Sequence, residues 1–138
     1  MNEYLYEEIE VGQEEEFEVL ITEKMMDAFC QISGDINPLH TDLTFAQESG
    51  YDSCVVYGML TASFLSTLAG VYMPGKWCLL QGVETSFVKP VFIGDVLTIR
   101  GKVVEKHDAF KQIEIKARIV NQEGKCVCRA KVKAGVLK

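Results

Sequence analysis

The chain has few of the residues that mark special structures, with three prolines, one tryptophan and two histidines among 138 residues. It has no low-complexity tract, no internal repeat and no linker rich in proline, glycine and serine. These absences argue against a disordered or multidomain chain. Since the length suffices to bury a substantial core, we expect a single domain spanning residues 1–138.

Features of exported proteins are also missing. The N-terminal segment MNEYLYEEIEVG is acidic and lacks the basic and apolar regions of a signal peptide. The five cysteines are an odd number, and Cys126 and Cys128 lack the spacing of a CxxC motif. On a strand these two would share one face, which favours core packing over metal or redox chemistry. We therefore expect reduced thiols and a cytoplasmic location.

Positive charge is scarce and unevenly distributed. The net charge of -6 argues against a nucleic-acid partner. Only acidic charges precede Lys24, whereas the segment from Arg100 to Lys138 holds 11 Lys/Arg against 4 Asp/Glu. Two interpretations stay open for this basic segment: solvated strand faces, or an edge that meets a phosphorylated ligand such as the nucleotide end of a coenzyme.

Residues 53–75 contain no charged side chain and are long enough to span a bilayer. Glycine, serine and threonine residues dilute the segment, however, and no Lys/Arg cluster lies beside it. A helix that is apolar on nearly every side is also typical of the interior of a globular protein. We interpret the segment as a buried helix and expect no membrane partner.

Hydrophobic periodicity predicts helices first and long strands later. Phe17, Val19 and Ile21 alternate as in a strand, and Thr22 can cap a helix that stops near Gly34. A short helical turn is predicted within 41–50, and the strongest helix candidate runs from 58 to about 72, closed by Pro74. Period-two strands follow at 79–87, 97–103, 113–119 and 126–136.

Hairpin turns are predicted at 106–109, with His107 at an exposed tip, and at 121–124, whereas Gly101 suggests a bulge. The economical arrangement is an α+β fold, with a curved antiparallel sheet of long strands wrapped around one apolar helix. The sheet edges would then need a partner or solvent-tolerant residues.

The segment SGDINPLHTD, residues 33–42, places Asp35, Asn37 and His40 within six residues. Pro38 fixes its own φ and pushes Asn37 towards an extended conformation, so the segment is stiff. Stiffness suits the positioning of catalytic side chains. The alternative is an ordinary turn, since Asp, Asn and Pro are common turn residues.

The segment VYGMLTAS, residues 56–63, starts the apolar helix. A helix N-terminus presents unpaired N–H groups and the positive end of the helix dipole. Gly58 would let a ligand approach that backbone closely. These are the requirements of an oxyanion hole for a thioester carbonyl, although a simple helix start would give the same pattern.

Together these segments resemble the MaoC-like (R)-specific enoyl-CoA hydratases of the hotdog fold. The family pattern G-D-x-N-P-x-H is present at 34–40, and the helix-start pattern H-G-M-L is present at 57–60 with Tyr57 in place of the usual His. A third pattern, G-x-x-x-x-F-x-x-P-V-x-x-G-D, is present at 82–95. The resemblance covers nearly the whole chain and implies a helix wrapped by a five-stranded sheet.

The resemblance also implies an active site. Asp35 and His40 would hold and polarise a water that adds to C3 of a trans-2-enoyl thioester, with Asn37 orienting the water or the catalytic pair. The N–H of Gly58 would bind the thioester oxygen, and the product would be an (R)-3-hydroxyacyl thioester. No metal is expected, and no cofactor other than coenzyme A as part of the substrate.

Three small residues later in the helix are candidates for lining an acyl tunnel, although close packing of helix on sheet explains them equally well: Ser63, Ser66 and Ala69. The expected assembly is a homodimer or higher homo-oligomer with the active site near the subunit interface. The thioester carrier stays open between coenzyme A and an acyl carrier protein, as does the acyl chain length.

Two rival functions follow from the same fold. A hotdog acyl-CoA thioesterase commonly has a carboxylate on or near the central helix, but residues 59–73 contain no Asp or Glu. A non-catalytic subunit that binds acyl thioesters would have no need for the group formed by Asp35, Asn37 and His40.

Overall fold

The secondary structure begins and ends at signals that are present in the sequence. The computed structural model describes all 138 residues. Its elements are β1 Glu14–Leu20, α1 Glu23–Ser33, α2 Pro38–Thr41, α3 Leu43–Glu48, α4 Gly58–Thr67, β2 Cys78–Phe87, β3 Val96–His107, β4 Gln112–Val120 and β5 Cys126–Val136. A π-helical segment, Leu68–Tyr72, continues α4 towards Pro74.

The predicted helix caps are confirmed. Thr22 Oγ1 accepts the N–H of Met25 at 3.2 Å and so satisfies one of the unpaired donors in the first turn of α1. Gly34 ends α1 with φ +72°, a conformation that glycine adopts without steric cost. A further cap, which the sequence analysis did not predict, is Asp42, whose Oδ1 accepts the N–H of Phe45 at 3.1 Å at the start of α3. The chain between α1 and α3 is therefore tightly folded.

The five strands form one antiparallel sheet in the order β1-β3-β4-β5-β2. The predicted architecture of one sheet packed on one apolar helix is confirmed. Leu65, Leu68 and Ala69 of α4 and its continuation are buried in the same core as Ile99 and Ile115 of the sheet. Strands β1 and β2 are the two edges of the sheet. Strand β2, which follows α4 in the chain, therefore has no neighbouring strand on one side.

Gly101 does not mark a bulge, so that prediction was wrong. It pairs regularly with Glu15 and with Ala117, and the irregularity in β3 lies further along, between Val103 and Glu105. A Cβ on Gly101 would lie 2.7 Å from Cδ2 of Leu68. The glycine is needed because the helical segment crosses the sheet there at very short range.

The turn between β3 and β4 lies later than predicted, because β3 extends through His107. The reversal is a 3-10 turn at Asp108–Phe110 followed by Lys111 with φ +47°. His107 is consequently half-buried, with Nε2 3.5 Å from a carboxylate oxygen of Glu105. The turn predicted at 121–124 is confirmed, with the N–H of Gly124 donating to the carbonyl of Asn121 at 2.9 Å.

The basic charges of the last three strands lie on the outer face of the sheet. Strand register places them opposite one another in two exposed rows: Arg100, Arg118 and Arg129 in one, and Lys102, Lys116 and Lys131 in the other. Of these six, only Arg100 forms an ion pair, with Glu16 at 2.8 Å. Like charges directly opposite each other are unfavourable, but glutamates flank the rows: Glu14 lies opposite Lys102 and Glu84 lies opposite Lys131.

No helix in the structure combines the length and the apolar character that crossing a membrane requires. All five cysteines are free thiols. Cys128 is buried in the core, as predicted. Cys126 is half-buried and lies outside the core, because a bulge in β5 pairs Cys126 and Cys128 with the adjacent residues Val120 and Ile119 and so turns them to opposite faces.

Candidate active site

The loop after α1 is built by short-range hydrogen bonds. The N–H of Asp35 donates to Ser33 Oγ at 3.1 Å, and Asp35 Oδ1 accepts the N–H of Asn37 at 3.0 Å. Side chains that bind their own backbone two residues on stabilise tight turns. The carboxylate of Asp35 is therefore anchored by one oxygen, while its other oxygen has no partner within the protein.

Asn37 caps the short helix α2. Its Oδ1 accepts the N–H of Leu39 at 2.9 Å, and Pro38 occupies the first helical position, where its missing N–H costs nothing. His40 is the third residue of this helix. The sequence predicted a stiff segment, and the structure shows its form: an Asx turn leading into a capped single turn of helix.

His40 is oriented by a backbone carbonyl distant in sequence. Its Nδ1 lies 2.6 Å from the carbonyl oxygen of Val55. Because a carbonyl only accepts, Nδ1 carries the proton in this contact, and in the neutral ring Nε2 is the basic nitrogen. Sequence reasoning missed Val55, since nothing in a lone valine signals that its carbonyl holds a histidine.

Tyr57 links the two parts of the site. Its hydroxyl donates to the backbone carbonyl of Asp35 at 2.7 Å, and its ring lies against the imidazole of His40 with centroids 4.1 Å apart. The side chain is 2% exposed. Burial is the main cause that raises the pKa of Tyr57 to about 12, so the phenol stays protonated at physiological pH.

Gly58 is the first residue of α4, so its N–H has no acceptor within the helix. The positive end of the helix dipole reinforces this donor. A Cβ on Gly58 would lie 3.2 Å from Cζ of Phe87, whose ring faces the glycine. Glycine thus lets an aromatic ring and a ligand approach the same short piece of backbone.

Two clefts meet at this point. The first, of about 400 Å³, is lined by Asp35, His40, Tyr57 and Gly58 together with Phe29, Ser33, Met59 and Phe87. The second, of about 310 Å³, has mostly apolar walls. Both clefts share His40, Gly58 and Phe87, so an elongated ligand could pass the catalytic candidates and enter the apolar cleft.

The other walls of the second cleft come mostly from the segment before α4 and from the loop between β2 and β3, with one residue each from α4 and β5. Besides the three shared residues they are Tyr51, Val55, Val56, Thr61, Val88, Lys89, Pro90, Val91 and Val127. Thr61 is a buried polar residue one helical turn after Gly58. That spacing was a signal that would have singled it out as facing the same way as Gly58.

Ser63, Ser66 and Ala69 line neither cleft. The two serines lie on the exposed side of α4, and Ser63 Oγ donates to the carbonyl of Leu60 at 2.6 Å. Ala69 is fully buried between the helical segment and the sheet. Ser63 and Ser66 thus lie on the exposed side of α4, whereas Ala69 lies about three turns after Gly58, further along the same helical segment. Their role in lining an acyl tunnel stays a prediction.

Outside the clefts, one cluster of side chains has ligand atoms close enough together to hold a metal ion. It is formed by Glu105, His107 and Glu114 at the end of the hairpin between β3 and β4. Glu114 is buried there, contrary to the simple alternation predicted for β4, and lies 3.6 Å from Lys133 Nζ. The lysine already offsets its charge. This cluster shares no residue with the two clefts.

Comparison with known proteins identifies the family of the chain. Residues 7–125 match the family model described as a MaoC like domain. The (R)-specific enoyl-CoA hydratase of Aeromonas caviae is 35% identical over 116 residues, which cover 84% of this chain and 87% of that protein. The enzyme with the same name from Rhodospirillum rubrum is 32% identical over 75% of this chain and 74% of its own length.

Solved structures give the same assignment. The unliganded R-hydratase of Pseudomonas aeruginosa superimposes with a TM-score of 0.90 at 30% identity, covering 96% of this chain and 84% of that one. The (R)-hydratase of Aeromonas caviae involved in PHA biosynthesis has a TM-score of 0.89 at 32% identity, covering 93% and 97%. The chain has the hotdog fold and belongs to the MaoC-like family.

Proposed function

We propose that this protein is a hydro-lyase that reversibly adds water to trans-2-enoyl thioesters and yields (R)-3-hydroxyacyl thioesters. The observation that carries the proposal is that a partly free carboxylate, a histidine with a basic Nε2 and an unpaired helix N-terminal N–H line one cleft. Relatives that bear the name (R)-specific enoyl-CoA hydratase support the reaction and its stereochemistry.

In this mechanism Asp35 and His40 hold one water between the carboxylate and Nε2. The water oxygen forms a bond to C3 while one proton leaves it. That proton passes through the Asp35–His40 pair to C2, and the reverse path eliminates water. General acid–base help of this kind contributes roughly 10²–10⁴-fold to the rate.

The thioester oxygen gains negative charge as the C3–O bond forms. The N–H of Gly58 and the dipole of α4 stabilise that charge where it develops, and one such donor is worth about 3–4 kcal/mol in the transition state. Asn37 positions His40 by capping α2. Of the two roles expected for Asn37, this is orienting the catalytic pair and not orienting the water. The reaction then needs neither a metal nor a cofactor beyond the thioester carrier.

The acyl chain occupies the apolar cleft beyond Phe87, rather than the exposed side of α4. Coenzyme A is the preferred carrier, since the (R)-specific enoyl-CoA hydratase of Aeromonas caviae is 35% identical over 84% of this chain, against 32% over 73% for the acyl-carrier-protein dehydratase of Solanum lycopersicum. The exposed cation rows of the sheet are available to an anionic carrier of either kind. Solvation of these strand faces explains the rows equally well.

A thioesterase is less well supported. Hydrolysis in this fold commonly uses a carboxylate on the central helix, whereas α4 and its continuation contain no Asp or Glu. A non-catalytic binding subunit would leave the polar arrangement around His40 without a use. The enzyme is proposed to act in the cytoplasm, where its five free thiols stay reduced.

A homodimer completes the proposal. Edge strand β2 exposes Val83 and Phe87 beside α4, where Met59 is 62% exposed. An unpaired strand with apolar side chains is unfavourable in water and is normally covered. Pairing of two β2 edges would cover this strip, in which Ser63 and Ser66 also lie on the exposed side of α4.

The test is a spectrophotometric assay with crotonyl-CoA for the wild type and Asp35→Asn. We expect the enoyl-thioester absorbance to fall with wild type, and kcat to drop by about 10²–10⁴-fold in the variant. Asp52→Asn is the matched control, because Asp52 is exposed and lines neither cleft. It should retain wild-type activity.

The product separates the candidate functions. Chiral analysis should find the (R)-3-hydroxy thioester and no free thiol, since free thiol would indicate hydrolysis. Wild-type activity in Asp35→Asn would refute the proposed catalytic role of that carboxylate. A folded wild type that is inactive on crotonyl-CoA, on longer enoyl-CoAs and on an enoyl carrier protein would refute the hydratase proposal.

A further inference from the structure

We infer that Tyr57 is a positioning residue for the hydration reaction, and that its hydroxyl and ring set the relative placement of Asp35 and His40. This inference rests on the catalytic roles proposed above for Asp35 and His40. It assigns a task to the position at which the chain departs from the histidine usual in the helix-start pattern of its family.

The hydroxyl holds the loop rather than the reacting group. It donates to the backbone carbonyl of Asp35 at 2.7 Å across 22 residues of sequence. The carboxylate is left to bind the N–H of Asn37 with one oxygen and water with the other. A hydrogen bond to the backbone carbonyl fixes the position of Asp35 and leaves the oxygens of its carboxylate free to accept other hydrogen bonds.

The ring supports the histidine from the side. Its centroid lies 4.1 Å from that of His40 and 4.8 Å from that of Phe29. Phe29 belongs to α1, His40 to α2, and Tyr57 immediately precedes α4. One buried side chain thus connects three of the elements that line the cleft, and His40 lies between this ring and the carbonyl of Val55.

Local structure does not otherwise account for a tyrosine here. Tyr57 occupies the N-cap position of α4, yet its side chain forms no capping bond. A side chain that is 2% exposed and has a polar tip needs a partner for that tip. The carbonyl of Asp35 is that partner, which ties the fold of the helix start to the geometry of the catalytic loop.

The experiment compares Tyr57→Phe with Tyr6→Phe. Tyr6 is a matched control, since it is also buried, donates to an aspartate (Asp108) at 2.7 Å and has a pKa raised to about 12 mainly by burial, but lies outside both clefts. We expect kcat with crotonyl-CoA to fall roughly tenfold in Tyr57→Phe with KM within about twofold. Tyr6→Phe should keep the wild-type kcat, whatever its loss of thermal stability.

A second measurement asks whether Tyr57 acts through Asp35. In the Asp35→Asn background, adding Tyr57→Phe should lower the residual rate by less than about twofold, because residues that act as one unit are not additive. Phe29→Leu loosens the same ring from its other side. This variant should also lower kcat, by about threefold. It tests the positioning role of Tyr57 if Tyr57→Phe does not fold.

Several results would overturn the inference. The first is a wild-type kcat in Tyr57→Phe or, if that variant is unfolded, in Phe29→Leu. The second is a loss of kcat in Tyr6→Phe as large as the loss in Tyr57→Phe. The third is a further tenfold loss of kcat when Tyr57→Phe is added to Asp35→Asn. Failure of the underlying mechanism looks different, since Asp35→Asn alone would then retain the wild-type rate. Inactive Asp35→Asn with fully active Tyr57→Phe would refute only the role of the tyrosine.

Discussion

At the scale of single residues, Gly58 is subject to two constraints at once. Its N–H is free because it opens a helix, and its missing side chain makes room for the ring of Phe87. The preceding residue, Tyr57, has φ -52° and ψ 124°, which lies outside the α-helical region that a following proline disfavours. Backbone donor and side-chain space can therefore be tested separately at this position.

Replacing Gly58 with proline removes the N–H at a helix position where proline is well tolerated. We expect kcat for enoyl-CoA hydration to fall by about 10²–10³-fold, as for loss of one oxyanion donor. Gly58→Ala keeps the N–H and adds a Cβ against Phe87, which is 50% exposed and free to shift. Equal losses in the two variants would mean that space, and not the hydrogen bond, is what the glycine provides.

At the scale of elements, α2 is too short to exist by itself. Four residues cannot offset the cost of helix nucleation, so this turn depends on the cap from Asn37 and on the bond from His40 to Val55. The cap therefore controls the orientation of His40, the histidine proposed to be catalytic. Loss of an N-cap usually lowers the free energy of unfolding by about 1 kcal/mol. Here we expect it to lower mainly the rate of hydration.

We expect Asn37→Ala to lower kcat by roughly tenfold through misplacement of His40. Asn37→Asp retains an oxygen that accepts the N–H of Leu39 and should stay within about threefold of wild type. Steady-state kinetics with crotonyl-CoA would measure kcat for wild type and both variants, and circular dichroism would check that the variants are folded. If the aspartate variant is as impaired as alanine, the amide NH₂ of Asn37 acts on the water and the capping explanation is insufficient.

At the scale of the whole molecule, the exposed apolar strip of β2 and α4 is next to the active site. Val83 is 41% exposed on an edge strand, and Phe87 of the same strand lines both clefts. Covering this strip in a dimer would exclude water from one side of the substrate path. Assembly and activity are therefore expected to be linked.

Val83→Lys places a charge in the proposed interface, and we expect it to weaken dimerisation by at least about tenfold. Sedimentation velocity should find wild type at twice the 15.5 kDa chain mass and the variant shifted towards monomer with reduced activity. Val11→Lys is the control, because Val11 is exposed outside the strip. An active wild-type monomer would contradict the link between assembly and activity.

Much of the fold was predictable because local rules agree with it. Period-two strands, the Thr22 cap and the apolar helix were all identified from residue patterns, and the observed elements confirm them. The errors arose where tertiary contact overrides pattern. Gly101 looks like a bulge in sequence, but its small size is required by the approach of Leu68. The alternation predicted for β4 fails at Glu114, which is buried beside Lys133. The acyl-lining role of Ser63 and Ser66 stays a prediction, because both serines are exposed in the single chain.

The sequence by itself determined which groups the proposed site contains, since Asp35, Asn37 and His40 lie in one short segment and Gly58 starts the next buried helix. Only the tertiary structure decided how these groups meet. The carbonyl of Val55 selects the ring nitrogen of His40 that carries the proton, Tyr57 ties Asp35 to the helix start, and Phe87 closes over Gly58. Each contact joins residues 15 or more positions apart, so it depends on packing that no local pattern encodes.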